Sequence, residues 1–440
     1  MAATLRRLRL DQRGATSLMV AACATTLLGL CALATEGGTW YVTRRGAQNA
    51  ADAAAMAGAL SLAFPAQVDR ATSAREAARD VSARNGFSHG GTDSVVVSYP
   101  PGATAGAYAG NTNAVEALVT RRQSLSLASL FVTGDSLTIG ARAVALLDGS
   151  GNACILGLDG GVVMGGNSFT GGAGCVVASN ARGNTSISIS GSAEVQAYSL
   201  SSVGGCGPKP NCSDKNYVNL TKPFAEYQLP TSNPYERLNS KTFSVSCLGA
   251  PPSSGSIAPT GLTRAYCGKD LSVSGNNTTL SFSPGTYIFK DASISFQGGK
   301  VQCTGCTGDN GVTIILTGSS PSSVGTVTIN ANSRVTLSAP KVNLDDSDFN
   351  GVLFFRDPRA IENSAVQLNG NAATSLRGAL YFPSSLVRFN GNATLNPSDC
   401  TVIIGRSVDV SGSSETRVAV DGCASYGTTV PQTQFVKLVL

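Results

Sequence analysis

Three kinds of hydrophobic pattern follow one another along the chain. The first is unbroken: Ala15 to Thr35, ATSLMVAACATTLLGLCALAT, holds no charge, and at ~1.5 Å rise per residue a helix over it covers roughly 30 Å, the hydrocarbon thickness of a bilayer. A single transmembrane helix is predicted there. The second pattern is small rather than greasy. From Arg44 to Leu60, RRGAQNAADAAAMAGAL, alanine dominates, and apart from Gly37, Gly38, Gly46 and Gly58 nothing interrupts a helix before Pro65. One helix is therefore expected from the membrane to the vicinity of Phe64. A further helix, VDRATSAREAARDVSARNG, is expected to stop at the Asn-Gly pair ending in Gly86. Ala47, Ala51, Ala54, Ala55 and Gly58 let a neighbouring backbone come close, which suits bundling with partner helices. The competing explanation is alanine's helix propensity alone, with Gln48 and Asp52 keeping the surface wet.

The third pattern alternates. The phrases VQLNG, VRFNG and VDVSG close on Gly370, Gly391 and Gly412 at a constant spacing of 21 residues. Similar phrases end at Gly166, Gly191, Gly275 and Gly298, and a second apolar strand per unit is visible at Gly351, Gly378 and Cys400. Alternation turns one face of a short strand inward, glycine supplies the corner, and recurrence every ~20–25 residues lets each unit stack on the next. The predicted fold is thus an α-helical N-terminal anchor plus a mainly β body, a right-handed parallel β-helix or solenoid, favoured over a sandwich. The expected parts are a basic tail at 1–14, the span at 15–35, Ala-rich helices at 36–92, a small α+β segment at 93–150, and the solenoid at 151–440. An irregular Cys/Pro-rich insertion is expected at about 201–259.

Composition supports a β-rich body: 50 glycines and only 13% charged residues fit short strands and tight turns rather than ion-paired helices. The net charge of +5 is modest, and Arg6, Arg7, Arg9 and Arg13 against Asp11 supply a good part of it. That argues against nucleic-acid binding and for a topology signal, with the amino terminus retained inside and the bulk of the chain outside. A cleavable signal peptide, with Ala32-Leu33-Ala34 as its small-x-small site, is the rival reading. The body is exported in either case.

Two of the twelve cysteines, Cys23 and Cys31, fall in the apolar run, leaving an even ten for the body. An even set in loops suits disulfides in an oxidising compartment. Spacing leaves the connectivity open; pairing of sequence neighbours is the expectation, Cys154 with Cys175, Cys206 with Cys212, Cys247 with Cys267, Cys303 with Cys306 and Cys400 with Cys423. CTGC at 303–306 has the spacing of a redox or zinc half-site, but it lies among glycines between strands and has no second pair. DASIS at 291–295 has the Asp-x-Ser-x-Ser form by which von Willebrand factor A domains hold a divalent metal, yet Ile294 and Phe296 occupy the inward phase of the repeat. His89, the sole histidine, sits in a glycine-bounded loop, so hydrolase triads lack their usual base. Asp345, Asp346 and Asp348 could hold a cation or sugar, and more simply form a solvated turn. No catalytic residue, cofactor or metal is expected, and the chain is read as a non-enzyme. The alternative is an exported β-helix that binds or degrades polysaccharide.

The run from Asp11 to Ala59 resembles the N-terminal segment of TadG-like (TadE/TadG-like) proteins of the Flp, or tight adherence, pilus-assembly system. The matching features are Arg13-Gly14 before the span, a Gly-rich exit with an aromatic at Trp40 or Tyr41, and the block Gln48, Asn49, Ala50, Ala51, Asp52, Ala53. More loosely, a strand, short helix and strand ending LTIGARAVALL resembles the end of that family's exported N-terminal part. In prepilins of the same system a glutamate stands fifth after the cleavage-site glycine; here Met19 does. The resemblance therefore implies a permanently anchored assembly protein in the inner membrane, amino terminus cytoplasmic and body periplasmic. Its implied partners are the lipid bilayer and pilus-assembly proteins of the same system, with possible envelope or glycan contact.

Overall fold

The computed structural model describes residues 15–440 except 64–68, 127, 131–133, 209–211, 213, 260, 262, 331, 362–364, 370–373, 393 and 396–398. The basic tail with Arg13 and Gly14, and Gly370 of the repeat, lie outside the described residues. One long apolar N-terminal helix is followed by a body that is mostly parallel-strand sheet. The chain forms two compact units, Met1–Asp148 with Val436–Leu440, and Gly149–Phe435.

In the first unit, α1 runs unbroken from Ala15 to Ser61. The second helix, α2 (Arg70–Arg84), starts where the Asp69 carboxylate accepts the backbone N–H groups of Ala71 and Thr72 at 2.9 and 3.0 Å. It stops at Asn85 and Gly86, whose φ of 83° no β-branched residue tolerates. Three strands, β1 (Asp93–Ser98), β2 (Ala114–Ser124) and β3 (Ser136–Gly157), form an antiparallel meander with Val95 opposite Val119 and Val119 opposite Ala141. Alternation buries Val95, Val97, Val115, Ala117, Val119, Ala141, Ala143 and Ala145 on one face. Against that face lie the fully buried Ala47, Ala50, Ala51, Ala54, Ala55 and Ala59 of α1 and Ala74 and Ala78 of α2. The approach is close enough that a Cβ on Gly58 would stand 2.7 Å from Val115 Cγ1 and 3.2 Å from the Ala74 carbonyl.

Two expectations are corrected here. The Ala-rich helices and the α+β segment, separated at residue 92, fold as one unit. The chain's last residues also return to it, Val439 donating to the Val144 carbonyl at 2.8 Å, so the β body ends before residue 440.

The second unit is built on three parallel ladders that the chain visits in turn. In spatial order the first ladder contains 263–267, 285–290, 312–317, 352–356, 378–382, 401–405, 155–157, 176–179 and 199–202. A second ladder runs alongside it from 271–273 to 206–207. The third joins 255–257 through 334–338 to 375–377, and then 394–395 through 169–171 to 218–220. Inward phases fill the interior with Phe282, Phe289, Phe296, Phe354, Phe382 and Phe389, all fully buried. The glycines of the repeat stack as corners. A Cβ on Gly412 would lie 2.8 Å from Gly391 N, one on Gly166 2.7 Å from Gly412 O, and one on Gly191 2.8 Å from Gly166 O, all three with φ near +70°.

Spatial order departs from chain order. The last round lies on the first, Ile403 beside Ile155, Val408 beside Val162 and Glu415 beside Phe169. The chain enters the stack in its middle, builds outward to Val218–Leu220, crosses to the far end, and builds inward until it closes on its own start. At ~4.8 Å per strand that crossing covers roughly 40 Å.

The irregular segment makes the crossing, which corrects the expected insertion at about 201–259. Within it, Ser201–Ser202, Cys206–Gly207 and Val218–Leu220 still belong to the ladders; the residues after Leu220 make a strap laid along the stack. In chain order, Ala225 receives the Ser202 N–H at 3.0 Å, Thr231 donates its N–H to Asn180 Oδ1 at 2.8 Å, and Asn233 donates to Tyr381 Oη at 3.0 Å. Arg237 then meets Asp348, Phe243 packs on Phe349 and Phe355, and Leu248 bridges to Tyr266. Both outer edges of the first ladder thus acquire strap residues, at Ala225 and at Leu248, which blunts edge-to-edge association.

Candidate anchor and association site

The first two-thirds of α1 is laid out for two environments. Leu18, Met19, Val20, Leu27 and Leu30 are 59–76% exposed, and leaving such side chains in water forfeits ~1.5–3 kcal/mol apiece. Lipid is the solvent that recovers it, and the uncharged stretch has the length to cross a bilayer. Immediately beyond, Glu36 turns its carboxylate to the β2–β3 connection, Oε1 accepting from Ser126 N at 2.9 Å and Oε2 from Ala128 N at 3.0 Å. One turn later come Trp40 and the 63%-exposed Tyr41, with the Arg45 guanidinium 6.0 Å from the Tyr41 ring centre, the aromatic and basic composition of a membrane–water boundary.

From Ala47 onward α1 belongs to the core, and the expected bundling with partner helices is corrected accordingly. The close approach that alanine and Gly58 permit is used within the chain, against α2 and β2. Of the family-motif residues, Ala50 and Ala51 are fully buried, Asp52 and Ala53 half-buried, and Gln48 and Asn49 exposed. Gln48 donates to Asp52 Oδ1 at 2.6 Å and, across to β3, to the Arg142 carbonyl at 3.4 Å. The motif's polar residues thus line the rim of a helix whose small residues form its packed face.

The ten body cysteines form five disulfides: Cys154–Cys175, Cys206–Cys212, Cys247–Cys267, Cys303–Cys306 and Cys400–Cys423. Cys247–Cys267 ties the strap to the outermost first-ladder strand at one end, and Cys206–Cys212 closes the loop beside the last strands at the other. Cys154 and Cys400 stand on the two rounds that meet in the middle. Cys303–Cys306 pins a glycine corner where Gly305 has φ +92°.

The remaining candidates are spent on structure. Asp291 accepts Ser319 N at 2.6 Å and Ser319 Oγ at 2.7 Å and is also bonded by Ser323 Oγ; chiefly that Ser323 bond holds its carboxyl below the ordinary range. Ser293 accepts from Thr326 N and Ser295 from Gln297, so the DASIS side chains do not converge. Among the described residues no group of three or more metal-ligating side chains gathers. The acidic turn receives the strap: Lys241 Nζ lies 2.7 Å from Asp346 Oδ2 and also pairs with Asp348, which Arg237 Nε meets at 3.1 Å. The Lys241 hydrogen bond, first, and the Arg237 one lower the Asp348 carboxyl, and the Asp346 bond raises the Lys241 ammonium. His89 Nδ1 accepts the Val95 N–H at 3.0 Å, closing a turn.

Residues 14–61 match the family model described as Flp pilus-assembly TadE/G-like. Residues 15–61 of that stretch are α1. No curated protein and no solved structure matches the chain.

Proposed function

We propose that this protein is a membrane-anchored, non-catalytic assembly component of a Flp-type pilus system, with its amino terminus in the cytoplasm, its anchor in the inner membrane and its body in the periplasm. The match of residues 14–61 to the pilus-assembly family carries the reading, because residues 15–61 of that stretch form a helix that is both lipid-compatible and the spine of a folded unit. Four arginines ahead of the span support the orientation, and five disulfides suit an oxidising compartment for the body. The parallel body acts as a β-solenoid offering a long surface to pilus-assembly proteins or to the envelope. Association rather than chemistry is favoured by how the polar groups are used: the acidic turn that could have held a cation or sugar is engaged by Arg237 and Lys241.

Deletion of the gene, followed by electron microscopy of the cell surface, is expected to abolish or shorten Flp-type pili, with restoration by the full-length chain. Unchanged pilus number and length in the deletion strain would refute the assignment. A periplasm-dependent reporter fused after Leu440 is expected to be active.

A further inference from the structure

Close packing of α1 on the sheet stops where its bulky residues begin. At Gly46 a Cβ would still stand 3.4 Å from the Phe87 ring. Nearer the amino terminus α1 carries Trp40, Tyr41 and Arg44 in place of alanine, and side chains of that size hold helix and sheet apart. Thr43 Oγ1 reaches β2, donating to Gln123 Oε1 at 3.4 Å. Over β3 a cleft of about 370 Å³ remains, walled by Trp40, Tyr41 and Arg44 on one side and by residues 137–140 on the other. That is within the ~300–1,000 Å³ of small-molecule sites.

The cleft joins apolar walls to a cation. Leu137 and Ile139 share the sheet face of Ala141 and Ala143 by alternation; Ile139 is buried and Leu137 is 41% exposed. Arg44 is exposed and makes no hydrogen bond or ion pair with any described residue. Arg121, on the same face as Ile139, is by contrast tied to Asp93 at 2.6 Å and packed on the Phe87 ring. No acidic residue lines the cleft, so Arg44 has room for an anion from outside the chain.

Depth decides which anion. Trp40 is five residues past Thr35, so it stands ~7.5 Å beyond the uncharged run, at the outer limit of a headgroup layer ~5–7 Å deep. Arg44 is one turn further, but helical side chains tilt toward the amino terminus, and its long stem carries the guanidinium back to the same layer. Leu30, about three turns before Tyr41, lies on the same side of the helix and is 59% exposed, which continues the cleft as an apolar track into the hydrocarbon.

We propose that this cleft binds one anionic phospholipid, with its phosphate on Arg44, its glycerol backbone between Trp40 and Leu137, and its acyl chains along α1 past Leu30. The proposal rests on the membrane-anchor reading of α1. A zwitterionic headgroup would bring a second cation to a site that already holds one, whereas phosphatidylglycerol brings none. The seated lipid fills the gap between helix and sheet, so it fixes which side of the first unit faces the bilayer.

Trp40 is the sole tryptophan of the chain, so its fluorescence reports the site directly. The full-length chain is placed in phosphatidylcholine vesicles in which a minor fraction of the lipid, either phosphatidylglycerol or phosphatidylcholine, is brominated on its acyl chains. Brominated phosphatidylglycerol is expected to quench Trp40 about fivefold more strongly, the preference that one arginine at an anionic headgroup confers. Arg44→Gln, and Leu137→Glu on the opposite wall, are each expected to bring the two lipids within twofold of one another. Arg45→Gln, outside the cleft, is expected to retain the preference. Equal quenching by the two lipids in the parent chain overturns the site and spares the anchor. An undiminished preference in Arg44→Gln or Leu137→Glu, or a loss in Arg45→Gln as large as theirs, overturns the cleft in favour of diffuse attraction by surface charge. In a Trp40→Phe chain, a Leu27→Trp fluorophore that neither lipid quenches overturns the anchor reading as well.

Discussion

The two units solve the same packing problem with opposite materials. In the first, helix meets helix and sheet through alanine: Ala47, Ala51, Ala54, Ala55, Ala74, Ala78, Ala117, Ala143 and Ala145 are fully buried. In the second, the largest fully buried side chains among the described residues run from Tyr235 to Phe389, all tyrosine or phenylalanine. Alanine brings backbones together and leaves little volume to fill. Aromatics fill the wide interior enclosed by three ladders, which no backbone approach could close. One unit is thus sensitive to enlargement and the other to truncation.

The strongest way to break that contrast is to exchange the two kinds of change. Phe354→Ala empties a fully buried site whose ring centre lies 6.1 Å from that of the tilted Phe382 ring and is expected to cost about 3–5 kcal/mol in denaturant unfolding of the second unit. Replacing Cys154 and Cys175 together by serine, which opens a loop between residues 21 apart in sequence, is expected to cost about 2–4 kcal/mol in the same measurement. Ala51→Leu in the first unit removes nothing, yet overpacking is expected to cost about 1–3 kcal/mol, read as a lower melting point of that unit with the second unchanged. An Ala51→Leu variant as stable as the parent would show that the first unit has slack, and the contrast would fail.

The smallest expected effect concerns the strap. Asp348 titrates lower in the folded chain than free, so its contribution is present above the free carboxyl value and is lost as pH falls below about 4. Lys241 titrates higher than free; its contribution is present below the free amine value and is lost as pH rises past about 10.5. Both are part-exposed, so the clasp contributes about 0.2–1 kcal/mol. Proteolysis of the strap around Arg237 is expected to quicken at both extremes and stay slow between them.

Much of this architecture is legible in the sequence, and what is hidden is hidden for definite reasons. An uncharged run of membrane length and an alanine run without a breaker predict α1 almost to its end, because both signals are local. The apolar-x-apolar-polar-Gly phrases mark the second ladder correctly, since Val387, Val408, Val162 and Ile187 do stand in one column. Which phrase stacks on which cannot be read from the phrases, because equivalent rounds look alike and Gly166 follows Gly412 as naturally as it precedes Gly191. The strap has no period, as each of its contacts is made with a different round. Asn233, Tyr235, Leu238 and Asn239 therefore read as loop, although Tyr235 is fully buried and its hydroxyl accepts the Thr429 N–H at 2.9 Å. The complementary charges of Arg237 and Lys241 with Asp346 and Asp348 were the available hint. For the anchor, small residues announce a close neighbour without saying whose; Val115 and Ala74 of the same chain supplied it.

Closure in the middle changes what it means to lose the end of the gene. Ser168 Oγ donates to the Val410 carbonyl at 3.1 Å across 242 residues of sequence, so the earliest rounds leave the ribosome with one flank bare and wait for nearly the whole remaining message before it is covered. An early stop codon ahead of Thr401 would not shorten the stack from its tip. It would remove the keystone and leave two half-arches joined only by the strap.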